Sequence, residues 1–202
     1  MPARGGLTVN TARGQRDPPE GAMVVAEPNA TTTVDTHADV LVLAVGNTLL
    51  SDDGVGPLLL GALQGRQNTW RDLVEFIDGG TQGLALLAYI SDRTALVILD
   101  AVALGDKPGT VHELTGDQVA DLRTRRAATA HEGNAGDLLA TARLLGDCPE
   151  KVYVVGIEPD TIRTGLGVSE AVARSIHHAV ERTVALINEI LTGEAHVPRN
   201  PR

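Results

Sequence analysis

Apolar runs of strand length alternate with helical patterns through the middle of the chain. Residues 39–45 read DVLVLAV and residues 152–157 read VYVVGI, and continuous apolar runs of this length are typical of strands buried on both faces. Similar runs cover residues 74–77 and 95–99. Between the runs, apolar residues at helical spacing predict four helices, at residues 58–63, 84–90, 136–145 and 168–191.

A fifth strand is predicted at residues 110–114, which read TVHEL. Only a short turn rich in Gly, Asp and Pro, residues 105–109, separates it from the strand before it, so we expect it to run antiparallel. Strands that alternate with helices favour a parallel sheet. The pattern therefore predicts a three-layer α/β fold, a mostly parallel twisted sheet of about five strands with helices on both faces.

The two ends of the chain lack this pattern. Residues 1–37 are rich in Pro, Gly, Thr and Arg and have almost no apolar periodicity, which predicts a disordered tail, with a functional arm as the alternative. Residues 196–202 contain two prolines and are expected to fray. Residues 38–195 are then a single α/β domain, a size that accommodates one buried core and one active site.

Charge and aromatic content argue against nucleic acid as a partner. The chain carries 26 acidic and 17 basic residues, a formal net charge of −9. Negative charge repels phosphate backbones and removes the attraction that dominates nucleic-acid affinity. One Trp, one Phe and two Tyr provide no platform on which bases would stack.

The same composition predicts a soluble cytoplasmic protein without membrane association. No run approaches the roughly 18 apolar residues of a membrane span, and no signal-peptide pattern follows the basic residues near the start. Cys148 is the single cysteine, so the chain forms no internal disulfide and no thiolate zinc site of its own.

Candidate chemistry begins in the loop that follows the first strand. Ligands of parallel sheets bind where strands end at their carboxyl edge. Residues 46–57 contain three glycines, the adjacent carboxylates Asp52 and Asp53, and Pro57, but neither a dinucleotide fingerprint nor a P-loop. Placement in the first turn of a helix, where the dipole favours negative charge, explains one of the two carboxylates but not both.

Two further carboxylates end predicted strands. Asp100 follows the apolar residues 95–99 and is expected at the same edge as the first loop, as a metal ligand or an acid/base group, or alternatively as a capping residue. Asp78 precedes two glycines and Thr81, a pattern more typical of a turn and a helix cap.

The histidines differ in their surroundings. His131 lies in a polar loop before a predicted helix, where it is either a ligand or a solvated side chain. His177 and His178 are predicted on the exposed side of the long C-terminal helix. The chain has neither a GxSxG elbow nor a HExxH helix, so serine-hydrolase and zincin functions are not indicated.

Five strings, in order and spacing, resemble the hydrogenase maturation peptidase family over residues 38–192. They are GNTLLSDDGVGP, IDGGTQGLALL, VILDAV, AHEGNAGDLLATARLLG and VVGIEPDTIRTGLGVSEAV. By resemblance, Asp53, Asp100 and His131 form the catalytic, metal-contacting site, and Asn47 and Asp52 support it. Asp78 belongs to the second string and is counted with the supporting residues.

The resemblance implies an endopeptidase, of a family often classed with aspartic peptidases, that removes the C-terminal extension of a [NiFe]-hydrogenase large-subunit precursor. The implied cofactor is nickel carried by that precursor rather than held tightly by the free enzyme. Two carboxylates and an imidazole suit Ni²⁺ or Zn²⁺ and leave coordination positions open. Two alternatives use the same ligands: a metal-dependent amidohydrolase with its own zinc, and a non-catalytic nickel-binding escort protein.

Overall fold

The computed structural model describes residues 38–116, 118–119 and 135–194, which include a five-stranded sheet. The strands lie in the order β2-β1-β3-β5-β4. Neighbours among the first four are parallel, and β4 runs antiparallel to β5. In chain order the strands are β1 Val40–Val45, β2 Val74–Gly80, β3 Ala95–Ala101, β4 Val111–Thr115 and β5 Lys151–Ile157.

The helices confirm the predicted positions. The α-helices are α1 Val55–Leu63, α2 Leu87–Ile90, α3 Ala135–Leu145 and α4 Glu170–Thr192. Short 3₁₀ helices cover Ser51–Gly54, Gln64–Thr69, Arg71–Leu73 and Gly83–Leu86. The predicted helix at residues 84–90 is therefore divided between a 3₁₀ turn and α2. In the described part of the chain, no helix is both long enough and apolar enough for a membrane span.

Two apolar clusters cover the two faces of the sheet, as the three-layer prediction requires. One joins α1 and α4 to Val42, Val97 and Val155. The other joins α2 and α3 to Leu43 and Ile98. Successive residues of a strand point to opposite faces, so a run that is apolar at every position is buried on both sides.

The strand beside β4 differs from the expected one. Its antiparallel direction is confirmed, but β4 pairs with β5 and not with β3, the strand that precedes it in the chain, because β5 lies between β3 and β4. β5 is apolar on both faces and is buried along nearly its whole length, which suits an interior strand. β4 alternates half-buried and buried residues, a pattern that suits an edge strand with one solvated face.

Candidate active site at the carboxyl edge of the sheet

The loop after β1 is folded tightly around Asp53. Gly46 has a φ of 129°, and a Cβ at that position would lie 2.0 Å from the backbone oxygen of Asp53, so only glycine fits. The backbone N–H of Asn47 donates to Asp53 Oδ2 at 2.8 Å. Asp53 itself is half-buried. The carboxylate is thus oriented by its own loop while part of it faces solvent.

Asp100 lies at the same edge, at the end of β3, and is 4% exposed. A Cβ on Gly56 would lie 2.2 Å from the carbonyl oxygen of Val45 and 2.5 Å from that of Leu99. The start of α1 therefore presses directly on the ends of β1 and β3. This junction is the topological switch point, because the chain leaves β1 for β2 on one side and β3 lies on the other. The structure brings the Asp53 loop and Asp100 together at the position where α/β sheets bind ligands.

Asp52 has a structural role that differs from that of its neighbour. It is fully buried, and its Oδ2 accepts hydrogen bonds from the backbone N–H groups of Asp160 and Thr161, both at 2.9 Å. Its Oδ1 accepts from the N–H of Ser169, the N-cap of α4. The side chain thus fastens the segment between β5 and α4 to the first loop, which supports the position of Asp53.

Hydrogen bonding makes Asp52 more acidic despite its burial. Burial alone would raise the pKa of this carboxyl. The N–H groups of Ser169, Thr161 and Asp160, with the Ser169 hydroxyl, stabilise the carboxylate and hold its pKa below the usual value. Asp52 is therefore ionised at neutral pH.

Asn47 and Asp78 make local turns. Asn47 Oδ1 accepts from the N–H of Leu49 at 2.9 Å, and its own backbone N–H binds Asp53. Asp78 is exposed, and its Oδ1 accepts from the N–H of Gly80 at 3.0 Å. This is the turn expected from Asp before two glycines. The backbone N–H of Gly46 also donates to Gly80 O at 3.0 Å, so the two turns are adjacent.

His131 lies outside the described residues. The helix that follows it, α3, begins at Ala135 and packs in the cluster that contains Ile98 and Val102. Alternation along β3 places Asp100 on that same face, two residues after Ile98. His177 and His178 are exposed on α4, as predicted.

Cys148 is half-buried against the α3 face of the sheet. Burial raises the pKa of its thiol, although Arg143 acts in the opposite direction. The thiolate, which is the nucleophilic form, is therefore disfavoured. These surroundings fit a packing residue rather than a catalytic one.

Two buried polar residues at this edge were not singled out from the sequence. Glu158 directly follows β5, just as Asp100 ends β3, and is 4% exposed. His112 lies on β4 and is 8% exposed. The rule that selected Asp100, a carboxylate at the end of an apolar strand, also applies to Glu158. His112 gave no comparable signal.

Comparison with known proteins identifies the family. A model of the family described as hydrogenase maturation protease matches residues 60–186 of this chain. The chain belongs to that family. Members of the hydrogenase maturation protease family are peptidases, so this protein is a hydrolase of peptide bonds.

Individual relatives cover most of the chain. It is 35% identical over 161 residues to the hydrogenase 2 maturation protease of Escherichia coli strain K12, covering 79% of this chain and 96% of that relative. It is 34% identical over 146 residues to the hydrogenase expression/formation protein HupD of Rhodobacter capsulatus, covering 72% of this chain and 69% of HupD.

Solved structures of maturation proteases have the same fold. The hydrogenase maturating endopeptidase HybD from E. coli aligns with a TM-score of 0.66 at 33% identity, over 75% of this chain and 93% of HybD. The [NiFe] hydrogenase maturation protease HybD from Thermococcus kodakarensis aligns with a TM-score of 0.56 at 27% identity, over 73% of this chain and 98% of that protein. The predicted three-layer α/β fold is confirmed for this chain, and these proteins of the same family share it.

Proposed function

We propose that this maturation protease removes the C-terminal extension of a nickel-loaded [NiFe]-hydrogenase large-subunit precursor, using Asp53, Asp100 and His131. The observation that carries the proposal is the placement of the Asp53 loop directly over the end of β3, where Asp100 lies, in a chain of this family. The relative from T. kodakarensis is itself described as a [NiFe] hydrogenase maturation protease.

The chemistry of the three side chains suits the nickel of the substrate. Carboxylate oxygens and an imidazole nitrogen are accepted ligands of Ni²⁺. Three protein ligands leave further positions for groups of the precursor and for water. Binding of the metal would then select a precursor that has already received nickel.

Holding that nickel would also position the peptide bond that is cut. Fixing the reacting groups in one geometry removes much of the entropic cost of their encounter. A metal near the scissile carbonyl polarises it towards attack by water. In this proposal Asp53, in the loop after β1, and Asp100, at the end of β3, act as metal ligands. The family resemblance implies a link to aspartic peptidases, but a role as metal ligands does not require the two carboxylates to share a proton. The proposed location of this reaction is the cytoplasm.

Single substitutions at the three residues test the proposal. Asp53→Ala, Asp100→Asn and His131→Ala are each expected to abolish cleavage of nickel-loaded precursor, because each removes one ligand. Asp72→Ala and His178→Ala, both exposed and away from the loop, are the matched controls and should cut normally. The measurement is a gel assay that detects the shortened precursor. Circular dichroism first confirms that each enzyme variant is folded.

The outcomes separate this mechanism from its alternatives. Asp53→Glu should retain partial activity, since a carboxylate remains and only its reach changes. Efficient cutting of nickel-free precursor by His131→Ala would contradict nickel recognition. Stoichiometric zinc in wild-type enzyme purified without added metal would instead support a resident metal, and binding of the precursor without shortening would support an escort protein.

A further inference from the structure

A second group of polar side chains lies at the same edge of the sheet, around the buried pair His112 and Glu158. His112 Nε2 lies 2.9 Å from Glu158 Oε2, a hydrogen-bond distance. His112 Nδ1 lies 3.9 Å from Oδ2 of Asp106, which is too long for a hydrogen bond. Among the residues that the structure describes, these three each offer one possible metal-ligand atom, and the three atoms lie within 4.8 Å of one another.

This group neighbours Asp100 in the sheet but does not include it. Both Asp100 on β3 and His112 on β4 face Gly156 of β5, one from each side. Neighbouring strands are about 4.8 Å apart, so the backbones of Asp100 and His112 are separated by about 10 Å. Asp100 offers no ligand atom within 4.8 Å of all three of the others, so it is not a member of this group.

The Glu158 carboxylate is held firmly by its surroundings. Its Oε2 accepts from the N–H of Leu104 at 2.9 Å, and its Oε1 accepts from the N–H of Gly105 at 3.0 Å. The backbone of Glu158 is paired with Gly109 and Thr110, both at 2.8 Å. These bonds hold the carboxylate in place beside His112. An ionised carboxylate has no N–H or O–H, so towards His112 it acts as a hydrogen-bond acceptor.

An acceptor in that position determines the form of the imidazole. When neutral His112 donates Nε2–H to Glu158, Nδ1 carries the free lone pair, and Nδ1 is the nitrogen on the Asp106 side. Histidines that bind metals usually donate their other ring N–H to a carboxylate in this way, which fixes the tautomer and strengthens the ligand.

We propose that His112 Nδ1 and the Asp106 carboxylate bind a divalent cation of the Zn²⁺ or Ni²⁺ class, with Glu158 as the positioning residue. Bonds from such an ion to nitrogen and oxygen are about 2.0–2.1 Å. A tetrahedral ion with such bonds holds two ligand atoms about 3.4 Å apart. The exposed Asp106 carboxylate therefore has to move about 0.5 Å closer to Nδ1 than the observed 3.9 Å. The Asp106 side chain is 62% exposed, so the ion has access from solvent and water completes its coordination. Imidazole with carboxylate favours Zn²⁺ or Ni²⁺ over Ca²⁺ and Mg²⁺, which prefer oxygen.

Calorimetric titration with Zn²⁺ tests this site on the full chain carrying Asp53→Asn and Asp100→Asn, so that the proposed active site does not contribute. One Zn²⁺ per chain is expected to bind. Adding Asp106→Asn or His112→Gln should weaken binding at least tenfold, and Glu158→Gln should weaken it to a smaller extent. The matched controls Asp72→Asn and His178→Gln, both exposed, should leave binding unchanged.

Nuclear magnetic resonance of histidine labelled with ¹⁵N provides a second readout that a purely structural role would not move. In the same Asp53→Asn, Asp100→Asn chain, the Nδ1 signal that disappears in His112→Gln is expected to shift when Zn²⁺ is added. Circular dichroism identifies any variant that fails to fold. Because Asp106 is exposed, Asp106→Asn is expected to have little effect on folding.

Absence of Zn²⁺ binding, or binding that is equally tight after Asp106→Asn and His112→Gln, would overturn the proposal. A signal that shifts at Nε2 instead of Nδ1 would overturn the assigned role of Glu158. Neither measurement uses the hydrogenase precursor, so failure of this site and failure of the proposed peptidase mechanism are recognised separately.

Discussion

At the scale of single residues, the adjacent carboxylates Asp52 and Asp53 have different surroundings. Asp52 is fully buried and accepts hydrogen bonds from distant backbone N–H groups, whereas Asp53 is half-buried and bound by its own loop. Backbone N–H groups that converge on a carboxylate stabilise its charged form. Asp52 therefore supports the loop, and Asp53 is the candidate ligand.

Replacement of Asp52 by Asn is expected to destabilise the fold by about 1–3 kcal/mol at neutral pH, because at least one buried N–H loses its acceptor. Asp72→Asn, on an exposed side chain, is the control and should stay within about 0.5 kcal/mol of wild type. Urea unfolding of the three proteins measures these differences. An Asp52→Asn chain as stable as wild type would show that the hydrogen bonds to Asp52 add nothing net.

The same substitution should change the response to acid. The pKa of Asp52 in the folded chain lies below its ordinary value of 3.8. A lowered pKa contributes stability that is complete above the unfolded value and is lost as pH falls through 3.8 towards the folded pKa. The stability difference between wild type and Asp52→Asn should therefore shrink when unfolding is repeated below that pH. A difference that grows in acid would contradict the lowered pKa.

Residue positions were predictable only where local sequence determines them. The pattern of strands and loops predicted the positions of Asp52, Asp53 and Asp100 at the edge of the sheet, whereas the choice of Asp53 over Asp52 as a site residue rests on the family resemblance. The hydrogen-bond partners of Asp52 lie 108 to 117 residues further along the chain, so its structural role is visible only in the folded protein. Glu158 was detectable by the rule that selected Asp100, whereas His112 depends on which strand lies beside β4.

At the scale of elements, contact between α1 and the ends of β1 and β3 is what brings the Asp53 loop to Asp100. The contact requires glycine at residue 56, since a Cβ there would meet the backbone oxygens of Val45 and Leu99 at 2.2 and 2.5 Å. Backbone oxygens in a sheet cannot move aside as a flexible side chain does. The position of α1 therefore depends on this single residue.

Gly56→Ala is expected to cost about 3 kcal/mol of stability, because the helix must move away from the sheet. Gly61→Ala on the same helix is the matched control, since a Cβ at residue 61 meets nothing within 4 Å. That control should stabilise the chain by about 0.5–1 kcal/mol. Thermal unfolding compares the two, and equal tolerance of both substitutions would contradict the close approach.

Elements that are buried on both faces were the most predictable part of the fold. Their continuous apolar runs and the alternation with helices determine the layers and the parallel direction. The neighbour of β4 was not predictable from the short turn before it. β5 is buried on both faces and takes the interior position beside β3, which leaves β4 at the edge. This burial depends on the packing of the whole sheet.

At the scale of the whole molecule, the composition of residues 1–37 predicts a tail outside the α/β domain. The segment has few apolar residues with which to bury surface. Deletion of residues 1–35 is therefore expected to leave thermal unfolding and precursor cleavage within error of the full chain. A shortened enzyme that folds normally but no longer binds its precursor would instead assign the segment a docking role.

In the proposed mechanism, cleavage depends on nickel in the substrate, recognised by Asp53, Asp100 and His131. The most direct measurement is mass spectrometry of the large-subunit precursor after incubation with wild-type enzyme, using matched precursor with and without nickel. We predict release of one C-terminal peptide from nickel-loaded precursor and none from nickel-free precursor. Equal release of that peptide from both precursors would contradict the claim, and the proposed role of the three residues as nickel ligands would have to be abandoned.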